Sequence, residues 1–174
     1  MGHTLEIVQY LPTGWSAREY GKFLGPNRIS DRMAHLGILV GSLDAATKFY
    51  SGVLGFHETW RGSKDGKILS WVNAATPESE DYLEFMLYDE LPAPGKRGTP
   101  HHICLYVPDM EKAVASLEAR PARKDYKGTL EIRTGINRKR QCNLYDPDGT
   151  RVELMETETI DGKPAPPSNA PPPR

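Results

Sequence analysis

The sequence predicts an α+β fold: two β-α-β-β-β modules side by side, forming a curved sheet around a cavity, with the helices on the outside. Three observations carry this reading. A weak internal repeat sets Ala34-His-Leu-Gly-Ile-Leu-Val40 on His101-His-Ile-Cys-Leu-Tyr-Val107, with His35 over His102. The same offset sets Leu43 on Met110, Ala46 on Ala113 and Tyr50 on Leu117. In each copy a helical apolar stripe follows the first strand, and strand-and-turn sequence follows the helix. Four strands with one helix leave one face of a sheet uncovered, and that face must meet something apolar or enclose a cavity.

Residues 1–32 form an arm ahead of the repeat. Leu5-Glu-Ile-Val-Gln-Tyr-Leu11 has strand character, ended by Pro12 and Gly14, and Trp15, Tyr20 and Phe23 give the arm apolar area to dock on the core or on a partner subunit. The first module spans residues 33–97. Its opening strand leads into a helix over about Leu43 to Ser51, capped by Ser42 and ended by Gly52 and Gly55. Strands follow at Phe56 to Arg61 and Lys67 to Asn73 around the Asp65-Gly66 turn, then at Asp81 to Tyr88. The second module spans residues 98–160. Asp109 caps a helix from Met110 to Arg120, which Pro121 stops. Strands are expected at Lys127 to Arg133, Arg140 to Tyr145 and Thr150 to Glu156, with the Asp146-Pro-Asp-Gly149 turn before the last. Asp161 to Arg174 contains six prolines in fourteen residues, so a disordered or polyproline-like tail is expected.

Composition narrows the function. The 174 residues carry 22 Lys+Arg against 23 Asp+Glu, a formal net charge of -1. Nucleic-acid and polybasic membrane-surface binding both need a basic surplus that is absent here. No apolar run approaches the roughly 20 residues needed to span a bilayer. Cys104 and Cys142 are too few for a disulfide scaffold and form no CxxC pair. The first residues show no signal-peptide pattern, so a cytoplasmic location is expected, or a secreted or periplasmic one if a leader has been removed. The expected partner is a small molecule.

Alternation along the strands places candidate chemistry on one face. His35, Gly37 and Leu39 alternate with Leu36, Ile38 and Val40; His102, Cys104 and Tyr106 alternate with Ile103, Leu105 and Val107. The purely aliphatic sets belong under the helices, which turns the His-bearing sets toward the concave side. In the last strands Glu84, Met86 and Tyr88 share one face, as do Arg151, Glu153 and Met155. Each copy thus offers a His early in its first strand and a Glu within its last. A lone His on a strand is more often structural, and a lone Glu more often solvent-facing. Recurrence of both, in both copies, with the same facing, favours a shared role. A buried carboxylate needs a partner, and one divalent cation would satisfy both. His101 points the other way in its strand, and His3 and His57 read as ordinary surface residues.

These stretches resemble the vicinal oxygen chelate superfamily, also called the glyoxalase/bleomycin-resistance/dioxygenase fold. The resemblance covers about residues 33–157 and rests on Ala34-His-Leu-Gly-Ile-Leu-Val40, Ala46-Thr-Lys-Phe-Tyr-Ser-Gly-Val-Leu-Gly-Phe56 and Tyr145-Asp-Pro-Asp-Gly-Thr-Arg-Val-Glu-Leu154. It implies paired βαβββ modules forming an open, barrel-like mixed sheet around a metal, with His35, Glu84, His102 and Glu153 as ligands. The His-Glu-His-Glu order is most similar to glyoxalase I. Nitrogen and oxygen donors suit Zn, Ni, Co, Mn or Fe. Such a centre stabilises an enediolate from a substrate with vicinal oxygens, with Glu153 as first choice of base and Glu84 as second. Cys104, Tyr106, Met86 and Tyr88 are expected to line the substrate pocket, and Arg151 to meet an anionic group. Leu39 and Tyr88 replace the basic residue and Asn that glutathione-binding members carry, which disfavours glutathione. The resulting expectation is a metal-dependent lyase or isomerase. The alternatives are an extradiol-type iron dioxygenase using His35, His102 and Glu153, or a small-ligand sequestering protein like the bleomycin-resistance members. The resemblance and the arm together imply a homodimer.

Overall fold

The computed structural model describes residues 3–98 and 100–174. One short helix, α1 (Trp15–Arg18), precedes the first module, which runs β1 (Arg32–Val40), α2 (Leu43–Tyr50), β2 (His57–Gly62), β3 (Trp71–Ala75) and β4 (Tyr82–Leu87). The second repeats the order as β5 (His102–Val107), α3 (Met110–Glu118), β6 (Arg133–Thr134), β7 (Lys139–Tyr145) and β8 (Arg151–Thr159). All eight strands join one curled mixed sheet in the order β2-β3-β4-β1-β5-β8-β7-β6. That order reads the same from either edge once the modules are exchanged. The seam is the antiparallel pair β1–β5, with His35 opposite Cys104, Leu36 opposite Ile103 and Gly37 opposite His102. Each first strand pairs in parallel with its own module's last, β1 with β4 and β5 with β8.

The two helices begin as their sequences predict. Ser42 accepts a hydrogen bond from the Ala45 amide, and Asp109 one from the Lys112 amide, each filling a donor the first helical turn leaves open. Under α2 lie Ile38, Val40, Val72 and Phe85, with Leu43, Ala46 and Tyr50 facing them. Under α3 lie Val107, Cys142 and Leu154, with Met110, Ala113 and Leu117 above. Both cysteines are free and buried. Helices therefore cover the convex face, and the concave face is left for the His and Glu side chains.

Three expected elements differ. Leu5 to Leu11 pairs with no strand, and Ile7 and Tyr10 stay exposed. The arm touches the core near its end, where Ile29 packs under α3 and Asn27 accepts from Arg120. The strand expected from Lys67 begins only at Trp71, because the Asp65 carboxylate takes the Lys67 and Ile68 amides that a ladder would use. The strand expected from Lys127 shrinks to Arg133–Thr134, since it lies at the sheet edge and β7 is its sole partner.

The Pro-rich tail is the largest correction. It leaves β8 and crosses to the first module rather than staying disordered. The Ser168 amide donates to the Arg61 carbonyl of edge strand β2, and the Leu69 amide donates to Pro171. Ala165 accepts from the Trp60 indole, and Ala170 packs on the first core. Proline removes donors but leaves carbonyls free, so an extended segment of this composition can still serve an open strand edge.

Candidate functional site

Strand register builds the site from two rungs across the concave face. The first runs Asn73, Glu84, Gly37, His102, Arg151 from β3 to β8. The second runs Tyr82, His35, Cys104, Glu153, Asn143 from β4 to β7. Cross-strand partners point to the same face, so all of these side chains turn inward. The pseudo-twofold at the seam exchanges the rungs, making His35 the counterpart of His102 and Glu84 that of Glu153.

The four residues meet at the centre. The two imidazoles approach Nε2 to Nε2 at 3.0 Å. Glu153 Oε2 lies 3.2 Å from His102 Nε2 and 3.9 Å from His35 Nε2. Glu84 Oε2 lies 3.5 Å and 3.9 Å from the same two atoms. His35, His102 and Glu153 are buried, and the Glu84 side chain is 14% exposed.

Electrostatics separate the two glutamates. Burial and the neighbouring Glu153 charge push the Glu84 carboxyl up to about 8. Burial acts in the same sense on Glu153, but the hydrogen bond from His102 and the fields of His35 and Arg151 outweigh it and hold that carboxyl below its ordinary value. Burial drives His35 down to about 3, so it stands as neutral imidazole at neutral pH. The Cys104 thiol is raised by burial and by both glutamate charges.

This donor set fits a divalent cation. Ligands about 2.0–2.2 Å from one ion stand roughly 3–4 Å from one another, the range spanned by the nitrogen and oxygen separations here. The two carboxylates balance the 2+ charge of a cation that two imidazoles help to hold, where a buried carboxylate pair would otherwise lack a counter-charge. Cys104 Sγ also stands within 4.8 Å of ligand atoms of His35 and Glu153. The outer ring nitrogens are served unequally. His102 Nδ1 lies 3.4 Å from the Pro100 carbonyl and 2.5 Å from Arg151 Nη2, while His35 Nδ1 has no hydrogen-bond partner among the described residues.

Over the cluster opens a cavity of about 440 Å³ that reaches Glu84 and Glu153. Arg151 is the one expected pocket residue that lines it. Cys104 and Met86 are buried in the sheet beneath, Met86 with its sulfur 3.7 Å from Arg151. Tyr106 lies instead beneath the Arg32 and Lys139 cations, which cover its ring, and borders a different depression. Tyr88 follows the end of β4, its amide bonded to Val40, and does not line the cavity. The walls come from Trp60, Trp71, Lys64 and Arg133, with Asn137 and Gln141. Alternation within Trp71-Val-Asn-Ala carried a signal for Trp71, which shares its face with Asn73 and Glu84; nothing local marked Lys64 or Arg133.

The sequence profile of the Glyoxalase/Bleomycin resistance protein/Dioxygenase superfamily matches residues 32–154. The chain belongs to this superfamily. Its fold is similar to methylmalonyl-CoA epimerase from Mycobacterium tuberculosis, at 21% identity and a TM-score of 0.61 over 84% of this chain and 97% of that one. It is also similar to a single-residue variant of Streptomyces coelicolor methylmalonyl-CoA epimerase in complex with 2-nitronate-propionyl-CoA, at 20% identity and a TM-score of 0.55 over 73% of this chain and 97% of that one. Hypothetical protein BH1468 from Bacillus halodurans matches at 18% identity and a TM-score of 0.53, over 73% and 94% of the two chains. No curated protein matches the chain. Among the described residues of this superfamily member, no helix is long and apolar enough to cross a membrane.

Proposed function

We propose that this superfamily member is a divalent-metal-dependent isomerase or lyase acting on a small substrate with two adjacent oxygens. The observation that supports it most is the convergence of His35, Glu84, His102 and Glu153, from four strands, at the floor of a cavity. A bound cation would supply Lewis-acid stabilisation of negative charge developing on substrate oxygen. His35 and His102 are imidazole donors held rigidly by the β1–β5 seam. Glu153 is the more fixed carboxylate, hydrogen-bonded to His102 and nearly buried. Glu84 is the more exposed one and stands farther from His102 than Glu153 does, which suits a group that must be free to take and return a proton. We therefore assign proton transfer first to Glu84, reversing the order the resemblance suggested.

The similarity to methylmalonyl-CoA epimerases favours proton abstraction beside a carbonyl over glutathione chemistry. The test is exchange of α-hydrogens for solvent deuterium, followed by NMR, across a panel of small α-hydroxy- and β-carbonyl acids and thioesters with Zn, Ni, Co or Mn supplied. Exchange that Glu84→Gln abolishes, with metal still bound, supports the reading. Oxygen uptake with catechols under Fe(II) would replace it by a dioxygenase, and tight ligand binding without turnover by a sequestering protein. We further propose a homodimer that covers the exposed Trp15, Tyr20 and Phe23 of the arm, which light scattering on the full chain checks.

A further inference from the structure

The pseudo-twofold matches the two rungs at Asn, Glu and His and breaks at two pairs, Gly37 with Cys104 at the seam and Tyr82 with Arg151 beside the imidazoles. Next to His35 the first module places Tyr82, whose ring lies 4.7 Å from the imidazole. The equivalent place next to His102 holds Arg151. Tyrosine ends in a neutral hydroxyl, whereas arginine brings a permanent charge to one side of the cluster. Its Nη2 contacts His102 Nδ1 at 2.5 Å, and its Nε is buried without a hydrogen-bond partner. Among the described residues no carboxylate pairs with it, nor with Lys64 or Arg133 in the same cavity wall.

Charge accounting sharpens this. Among the described residues the acids lining the cavity are Glu84 and Glu153, which a divalent cation would neutralise. Three wall cations then remain with no counter-charge. Arg151 is also the one whose contact with His102 Nδ1 would be lost if the cluster held a metal. Guanidinium can only donate, so its contact requires the lone pair of His102 on Nδ1. An imidazole that uses Nε2 as a ligand atom carries its proton on Nδ1, directed to the Pro100 carbonyl. The guanidinium would then be left with an orphaned fork in a cavity that Trp60 and Trp71 also line. Unpaired buried donors are costly, and a planar pair of anionic oxygens answers them best.

Resting on the functional reading above, we propose that the substrate is a small carboxylate, its carboxylate received by Arg151, its apolar body packed against Trp60 and Trp71, within a field set by Lys64 and Arg133. Calorimetry on the full chain, zinc-loaded and chelator-treated, compares benzoate, its neutral isostere benzamide, and phenyl phosphate. Benzoate should bind the zinc-loaded protein about tenfold or more tightly than benzamide, the size of one charge-assisted contact. Arg151→Gln should erase that preference while leaving benzamide affinity and zinc content unchanged, and Arg151→Lys should restore part of it. Chelation should weaken benzoate binding in the wild type and not in Arg151→Gln. Lys64→Gln and Arg133→Gln should each cost a smaller factor that 0.5 M salt removes. Equal binding of benzoate and benzamide, or a preference that survives Arg151→Gln, overturns the proposal. Tighter binding of phenyl phosphate than benzoate overturns the carboxylate assignment. A benzoate preference in a protein that takes up no zinc leaves the anion site standing and defeats the metal-dependent reading instead.

Discussion

Gly37 and His102 face each other across the β1–β5 seam, and the imidazole occupies the space where any other residue would carry its first side-chain carbon. A Cβ built on Gly37 would lie 1.9 Å from His102 Cε1 and 2.1 Å from Nδ1. Neither backbone strand can yield without breaking the ladder, so the ring must move. Gly37→Ala should cost about 1–3 kcal/mol of stability. It should also weaken metal binding by about tenfold or more through displacement of His102, the scale seen when a ligand's support is lost. Thermal unfolding and zinc titration measure the two effects. A variant with wild-type zinc affinity would show that His102 is not a ligand.

Removal of single donors should be read out on the metal itself. His35→Ala and Glu153→Gln should each lower zinc or nickel affinity by more than about 100-fold, beyond the effect of losing a supporting contact. Elemental analysis after dialysis against a weak chelator is sufficient. His101→Ala is the internal control: its neighbour in sequence is a cluster residue, yet its ring packs against His3 at 5.5 Å, outside the cluster. Its metal content should match the wild type.

The metal-free protein should lose stability as pH rises above neutrality. Glu84, raised to about 8 in the fold, binds a proton there that the unfolded chain gives up near the ordinary carboxylate value. Its stabilising contribution is complete at low pH and disappears as pH climbs to about 8. His35, depressed to about 3, works in the opposite sense and destabilises the fold as pH falls below its ordinary value of 6.5. The two slopes cancel between roughly pH 4.5 and 6.5. Glu84 acts alone from about 6.5 to 8, where about 2 kcal/mol should be lost at 1.36 kcal/mol per unit. Denaturant unfolding of chelator-treated protein should show the decline. Glu84→Gln, or saturation with zinc, should flatten it.

Deleting residues 163–174 should destabilise the first module selectively. The deletion removes the bonds of Trp60 to Ala165, Arg61 to Ser168 and Leu69 to Pro171, and bares the edge of β2. At about 0.5–1.5 kcal/mol per bond the loss is a few kcal/mol. Tm falls by about 2–4 °C for each kcal/mol in a chain of this size. Because Trp60 lines the cavity, its fluorescence should change together with the unfolding midpoint. Hydrogen exchange should rise in β2 and spare β7 and β8. Unchanged exchange at β2 would show that the tail does not hold this edge.

Most of the fold was readable because its signals are local. Ser42 and Asp109 each cap a helix through a hydrogen bond to an amide three residues on. The alternation around His35 and His102 requires only that a strand have two faces. Errors arose where a distant partner decides. Leu5 to Leu11 has strand character but pairs with no strand among the described residues. The tail after Asp161 has the composition of a disordered segment, yet the unpaired edge of β2 and the exposed side of the first core give it a place. Likewise, Tyr106 shares a face with Cys104 in its strand, but Arg32 and Lys139, remote in sequence, cover its ring and it borders another depression.

The amino-acid order alone determined two copies of one module and a His and a Glu directed inward from each, since periodicity and repetition are properties of a single chain. Tertiary structure decided that the copies meet along an antiparallel seam in the register that brings the two imidazoles within 3.0–3.9 Å of each other and of both carboxylates. It also decided that Trp60, Lys64, Arg133 and a proline-rich strap complete the surroundings. Register and curvature are settled by packing between segments remote in sequence, and no local pattern records them.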